Sequence, residues 1–197
     1  LEQHNIRMIP FAGDKNQIVQ EWQEAPRVDQ VIKDALNHQD VEKVTLLIDE
    51  LKEQLRMSSM MYLSKSCVCS PVNYKFSFND EKEILIDGYI DMTFVNSFYI
   101  AEQITFFDQE WRFQDVPLNF IVYRALKYCV NNNSDFELLV NLAGITREEV
   151  EQYDSAETMM LQNMMDVRKC NMFDPGMYHD ALTLEYQDAD RALSLIH

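Results

Sequence analysis

EILIDGYIDMTFVNSFYIAEQITFF, residues 83–107, is the one long stretch of the chain in which apolar residues alternate with other residues. Alternation with a period of two is typical of β-strands, because successive side chains of a strand point to opposite faces. Asn96 and Ser97 interrupt the pattern with two turn-forming residues. The stretch therefore predicts two antiparallel strands joined near residue 96.

The first of these strands has two different faces in the sequence. Its apolar series comprises Ile84, Ile86, Ile90, Met92 and Phe94. We expect this series to face the core, because apolar residues at every second position form the buried face of a half-exposed strand. Asp87 and Asp91 fall between these positions, so we expect the two carboxylates to share the wetter face.

The second strand contains one charged residue in its apolar series, Glu102. The apolar positions of that series are Phe98, Ile100, Ile104 and Phe106. A two-residue turn places Glu102 opposite Asp91, where two like charges destabilise a sheet. A loop one residue longer, or a bulge, places Glu102 near Met92 on the apolar face instead. Both registers stay open, and in each a carboxylate needs an explanation, such as a strand-end side chain that reaches solvent.

Residues before this stretch predict a further strand and two helices. Tyr74, Phe76 and Phe78 alternate, which indicates a strand over 73–78. The first helical stripe comprises Val28, Val31, Ile32, Ala35 and Leu36. The second, after the possible N-cap Asp40, comprises Val41, Val44, Ile48, Leu51 and Leu55. The sequence thus predicts an N-terminal helical hairpin, followed by a three-stranded antiparallel β-meander over about 73–107.

Residues after the meander predict an irregular link over 108–115 and then only helices. Asp115 and Pro117 mark the start of the first, and Ser134 or Asp135 caps a second that Gly144 ends. Thr146 and Glu149 form the capping-box pattern for the next helix. A methionine-rich helix over 155–169 and a last helix over 182–196 follow.

These elements predict an α+β fold, with the meander flanked by the helical hairpin and by a C-terminal helical bundle. The length of 197 residues suits a single domain, 1–197. A division into 1–115, the helical hairpin plus sheet, and 116–197, the helical part, is a possible alternative.

Charge is the strongest global property of the chain. Seventeen basic and 33 acidic residues give a net charge of −16. Such a protein is repelled by nucleic acid and by anionic membranes and is attracted to basic partners. No run of about 20 apolar residues, as a membrane span needs, occurs in the sequence. We therefore expect an intracellular, cytoplasmic protein without a membrane or direct nucleic-acid partner.

Motifs for cofactors, metals and covalent catalysis are missing from the sequence. Its four glycines form neither G-x-G-x-x-G nor G-x-x-x-x-G-K, and neither G-x-S-x-G nor H-E-x-x-H occurs. The cysteines, at 67, 69, 129 and 170, lack the spacing of zinc ligands and predict reduced, mostly buried thiols. We expect no cofactor and no metal site.

Residues 136–153, FELLVNLAGITREEVEQY, resemble a helix-turn-helix unit with Gly144 at the turn. That resemblance implies a DNA-binding module whose second helix enters the major groove. The second helix, however, carries one cation, Arg147, against four carboxylates: Glu148, Glu149, Glu151 and Asp154. Because phosphates repel these carboxylates, the chemistry favours a structural corner with an acidic outer face.

G-Y-I-D at 88–91, together with Glu102, resembles a fragment of the metal-dependent nuclease core. In that family an acidic residue on one strand and E-x-K on the next hold a magnesium ion for phosphodiester hydrolysis. The resemblance implies a degenerate or active nuclease-like site formed by Asp87, Asp91 and Glu102. Ile104 stands where the family has its lysine, which puts catalysis in doubt.

The sequence favours a non-enzymatic binding protein, such as an inhibitor, chaperone or adaptor, that engages a basic surface of a partner protein. The residues expected to make this contact are Glu148, Glu149, Glu151, Asp154, Asp87 and Asp91. The last helix could in addition join two copies of the chain into a homodimer. The nuclease-like site and the helix-turn-helix module remain the alternatives.

Overall fold

The computed structural model describes residues 8–9, 11–13, 18–20, 22–59, 83–107 and 111–171. The predicted strand over 73–78 and the predicted helix over 182–196 lie outside these residues. The helices are α1 (Val28–Asn37), α2 (Val41–Ser59), α3 (Leu118–Cys129), α4 (Asn133–Ala143) and α5 (Arg147–Asn171). The strands are β1 (Phe11–Gly13), β2 (Ile18–Gln20), β3 (Ile84–Tyr89), β4 (Ser97–Ile100), β5 (Gln103–Phe106) and β6 (Arg112–Pro117). The α+β class is confirmed.

The chain divides into two compact units, Leu1–Ala156 and Glu157–His197. All elements named above belong to the first unit, except that residues 157–171 of α5 belong to the second. In the second unit, Met160 and Met164 are buried, whereas about half of Met159 is exposed. The methionine-rich segment is thus part of α5 and not a separate helix, because no helix-breaking residue separates it from the capping box at 146–149.

Helices α1 and α2 follow the predicted apolar stripes, except that Val41, at the start of α2, is 42% exposed. Val28 and Ile32 of α1, and Val44 and Ile48 of α2, are completely buried. The Asp40 side chain accepts a hydrogen bond of 3.0 Å from the backbone N–H of Lys43, which confirms it as a cap of α2. Amphipathic spacing was sufficient to locate both helices, since one face of each packs into the core.

The three-stranded meander is wrong. Among the described residues the strands pair two by two, β1 with β2, β3 with β6, and β4 with β5, all antiparallel. The partner of β3 comes from residues 112–117, where Ile84 lies opposite Pro117 and Tyr89 opposite Arg112. Local alternation cannot reveal this pairing, because the intervening β4–β5 hairpin separates the two strands in sequence.

The turn of the β4–β5 hairpin lies at Ala101 and Glu102, not at Asn96 and Ser97. Ser97 is already paired with Phe106, at the opposite end of the hairpin. Ala101 and Glu102 have φ angles of 48° and 61°, as in the two-residue turns that match the twist of a hairpin. Both predicted registers for Glu102 are therefore wrong: it is an exposed turn residue.

The buried face of β3 is the reverse of the predicted one. Leu85 and Tyr89 are buried, whereas Ile86 is 70% exposed and Ile84 47% exposed. When the pairing register of a strand shifts by one residue, every side chain points to the opposite face of the sheet. The pairing of β3 with β6 fixes the register that buries Leu85 and Tyr89. Beyond the strand, Ile90, Met92 and Phe94 are buried as predicted.

Helix α2 covers the outer edge of β5 with two side chains. Gln54 Nε2 donates to the carbonyl oxygen of Ile104 at 3.1 Å, and Glu50 Oε1 accepts from the Ile104 N–H at 2.7 Å. Backbone groups on an open strand edge are otherwise free to pair with another chain. These two side chains thus close the hairpin edge at Ile104.

Two caps set the connection between α4 and α5. Gly144 ends α4 in the left-handed region, with φ at 71°. Thr146 and Glu149 then exchange hydrogen bonds of 2.6 and 3.2 Å between side chain and backbone, which confirms the capping box. The predicted cap of α4, Ser134 or Asp135, is wrong: the cap is Asn132, whose side chain accepts from the N–H of Asp135 at 2.8 Å.

Candidate functional site

Exposed carboxylates outnumber cations on α4 and the first turns of α5. Residues 133–156 carry six acidic residues and one basic residue, whereas residues 28–59, which include α1 and α2, carry seven and four. We call the exposed carboxylates of the first region the α4–α5 acidic surface. It comprises Glu137, Glu148, Glu151 and Asp154. Three of these four residues are among those expected from the sequence.

Glu149 serves mainly the local structure. Its Oε2 accepts the capping-box hydrogen bond from the Thr146 N–H, and its Oε1 lies 3.5 Å from the side-chain nitrogen of Asn119 on α3. Because its carboxylate is directed to these donors, Glu149 stabilises the start of α5. We therefore do not include it in the α4–α5 acidic surface.

Beside the acidic surface lies a cleft of about 360 Å³, formed by α3, the start of α4 and the first turns of α5. Its walls combine aromatic, amide and charged side chains: Tyr123, Lys127, the asparagines at 131–133, Phe136, Glu151 and Asp154. The volume is at the lower end of the range of about 300–1,000 Å³ that is common for ligand sites.

Three side chains in this cleft form one network. Asp154 Oδ1 accepts from Tyr123 Oη at 2.7 Å and from Lys127 Nζ at 2.6 Å. The same Nζ lies 5.5 Å from the centre of the Tyr123 ring, within the reach of a cation–π interaction. The Tyr123 ring packs edge-on against Phe136 and tilted against Tyr153, which holds it in place.

The network fixes the protonation of its members. Burial, and the hydrogen bond to Asp154, raise the pKa of the Tyr123 phenol far above its ordinary value. The hydrogen bond from Lys127, and the one from Tyr123, lower the pKa of the Asp154 carboxyl. At neutral pH the phenol is therefore a donor and Asp154 is an anion, whose charge is balanced by the ammonium group of Lys127.

Asp87 and Asp91, the other two residues expected to bind a partner, lie at the end of β3 and not on α5. Asp87 Oδ2 is 3.7 Å from a guanidinium nitrogen of Arg112, and both side chains are largely buried. Asp91 Oδ2 accepts from the Trp111 N–H at 3.2 Å. Both carboxylates therefore stabilise the pairing of β3 with the start of β6, and the sequence prediction grouped them wrongly with the surface acids.

The arrangement required by the nuclease resemblance is missing. It needs Glu102 on a strand beside β3, but β3 pairs with β6, and Glu102 lies at the tip of the β4–β5 hairpin. Within the part of the chain that the structure describes, no group of three histidine, cysteine, aspartate or glutamate side chains could hold a metal ion.

The predicted helix pair over 136–153 is present as the end of α4, Gly144 to Thr146, and the start of α5. The side chain of Arg147, the one cation of this segment, is 94% exposed and lies 3.4 Å from Glu151. The outer side of α5 therefore presents mainly carboxylates, which is unfavourable for contact with phosphates.

Sequence reasoning found the carboxylates of the site but missed the walls of its cleft. No pattern in the sequence singles out Tyr123, Lys127 or Phe136. Lys127 and Asp154 are 27 positions apart and meet only because α3 packs beside α5. The one feature of the sequence that draws attention to the region of the cleft is the run of three asparagines at 131–133.

Comparisons with protein-family models, curated proteins and solved structures gave no match for this chain. Among the described residues, no helix combines the length and the apolar character needed to cross a membrane.

Proposed function

We propose that this chain is a non-enzymatic binding protein whose α4–α5 acidic surface engages a basic surface of a partner protein, as an inhibitor, chaperone or adaptor would. The observation that supports the proposal most is the ratio of six acidic to one basic residue over 133–156, with Glu137, Glu148 and Glu151 exposed. A surface of one sign steers partners of the opposite sign and raises the rate of association.

The chemistry of the adjacent cleft favours binding over catalysis. A phenol whose pKa is raised, as that of Tyr123 is, remains protonated at neutral pH and is a poor nucleophile or base. Its proton is already directed to Asp154, which in turn is paired with Lys127. The three groups satisfy one another, so the network suits recognition of a charged group more than proton transfer to a substrate.

A basic protein is a better partner for this surface than a nucleic acid. Phosphate contacts dominate the affinity of nucleic-acid-binding proteins and require clustered lysines and arginines. On α5 the exposed Arg147 is flanked by Glu148 and paired with Glu151. A protein that binds nucleic acids would itself present the cations that this surface attracts.

The salt dependence of binding tests the proposal. Nona-arginine, a defined polycation, is titrated into the protein by calorimetry at about 0.1 M and about 1 M salt. The Debye length falls from about 10 Å to about 3 Å over this range, so we expect the affinity to fall at least about tenfold.

Two results would contradict the proposal: an affinity that does not change with salt, and no binding of the polycation at the lower salt concentration. If the protein instead retards the migration of duplex DNA in a gel at low salt, the result favours the helix-turn-helix alternative.

A further inference from the structure

We propose that the cleft between α3 and α5 binds one cationic side chain, an arginine or lysine, of a basic partner, and that Lys127 occupies this position until the partner arrives. The inference rests on the proposed function, because it assigns to the acidic surface one defined point of contact.

The position of Lys127 shows how a cation is held in the cleft. Its Nζ lies 2.6 Å from Asp154 Oδ1 and 5.5 Å from the centre of the Tyr123 ring. A carboxylate on one side and an aromatic ring on the other is the environment that ammonium and guanidinium groups prefer. The Tyr123 ring is fully buried and fixed between Phe136 and Tyr153, so this half of the site is formed in advance.

The charges in the cleft favour a second cation over an anion. Glu151 and Asp154 supply two carboxylates, and Lys127 neutralises one of them. The Glu151 side chain is 71% exposed, and its contact with Arg147 is an exposed pair along one helix, which is a weak interaction. Asn131 and Asn133 also line the cleft, and an asparagine side-chain oxygen can accept from a guanidinium, whereas that of Asn132 already accepts from the Asp135 N–H.

The pair of Lys127 and Asp154 is only partly shielded from solvent. The Lys127 side chain is 35% exposed, and that of Asp154 is 60% exposed, so water competes for both. An arginine can donate two parallel hydrogen bonds to a carboxylate, whereas a lysine is a point charge. An incoming arginine can therefore donate two hydrogen bonds to Asp154, where the structure shows one from Lys127. The internal lysine thus lowers the affinity for the partner without blocking it.

Removal of the internal cation tests the inference most sharply. In Lys127→Met the cleft loses its competitor, and we expect labelled nona-arginine to bind about fivefold more tightly than to the wild type, as measured by fluorescence anisotropy. Lys43→Met on α2 is the matched control, because it changes the net charge equally outside the cleft. We expect that variant to bind less than about twofold more tightly.

Loss of the carboxylate gives the opposite result. Asp154→Asn should weaken binding of nona-arginine about fivefold, whereas Glu42→Gln, an exposed glutamate of α2, should change it less than about twofold. A peptide of citrulline in place of arginine, which keeps the shape but not the charge, should bind none of the proteins. Thermal unfolding of each variant verifies that it is folded.

The outcomes separate the two proposals. If the wild type binds nona-arginine in a salt-dependent manner but Lys127→Met has no larger effect than Lys43→Met, the cleft proposal is overturned and the proposed function stands. The cleft proposal also falls if Asp154→Asn and Glu42→Gln weaken binding equally. If the wild type does not bind the polycation at all, both proposals fail.

Discussion

At the scale of single residues, Gly88 determines how closely β3 can approach its neighbours. A Cβ atom at this position would lie 2.6 Å from Val116 Cβ on β6 and 3.1 Å from Ile121 Cδ1 on α3. Both neighbours are completely buried, and two buried branched side chains have little freedom to move aside. The glycine is thus required by the packing of the sheet against α3.

Gly88→Ala should therefore destabilise the protein. We expect the free energy of unfolding, measured by urea denaturation, to fall by about 1–3 kcal/mol, the usual cost of adding a methyl group to a filled core. Gln114→Ala, at an exposed position of β6, is the control and should change it by less than about 0.5 kcal/mol. Equal stabilities of Gly88→Ala and the wild type would contradict the packing derived from the structure.

Residues with unusual backbone angles are also where the sequence was least informative. Ala101 and Glu102 both adopt positive φ in the β4–β5 turn, although glycine, asparagine and aspartate are the residues that favour this conformation. Asn96 and Ser97 have the composition of a turn but lie in a 3₁₀ turn and at the start of β4. Pairing of the flanking strands overrides these local preferences.

At the scale of elements, helices were predictable and strand pairing was not. The apolar stripes of α1 and α2, the Gly144 cap and the capping box of α5 each depend on residues within one or two turns of each other. The β3–β6 pair instead joins residues 84–89 with 112–117, across a hairpin that the alternation pattern merged with β3. The same limit applies to the site: its α5 carboxylates were visible in sequence, but the cleft that α3 and α5 form together was not.

Two ion pairs join separate elements and make stability depend on pH. The hydrogen bond from Arg56 on α2 lowers the pKa of Glu83, which precedes β3. The hydrogen bond from Lys127 on α3, and that from Tyr123, lower the pKa of Asp154 on α5. A carboxyl group with a lowered pKa in the folded state adds stability above its unfolded pKa, and this stability is lost as the pH falls through the folded pKa.

We therefore expect the free energy of unfolding to decrease on acidification below about pH 4, where carboxyl groups ordinarily titrate. Urea denaturation of the wild type, Glu83→Gln and Asp154→Asn between neutral pH and pH 3 measures this effect. Each variant should lose less stability than the wild type over that range. Glu42→Gln should follow the wild type, and a steeper loss in either test variant would contradict the assignment of the two pairs.

At the scale of the whole molecule, the position of the charge matters more than its total. Several carboxylates are internal: Asp29 is buried and bound by Arg27 and Lys33, and Asp87 is paired with Arg112. Four basic residues accompany the seven acidic residues of 28–59, whereas Arg147 alone accompanies the six acidic residues of 133–156. If the protein binds basic partners through the α4–α5 acidic surface, neutralising that surface must weaken binding more than neutralising other acids.

Two variants of equal net charge test this most directly. One combines Glu137→Gln, Glu148→Gln and Glu151→Gln on α4 and α5. The other combines Asp34→Asn, Glu42→Gln and Asp49→Asn on α1 and α2. Each has a net charge of −16 + 3 = −13. At about 0.1 M salt the first should bind nona-arginine about tenfold more weakly than the wild type, the second less than about threefold more weakly. Equal losses in the two variants would show that only the total charge matters and would contradict the account.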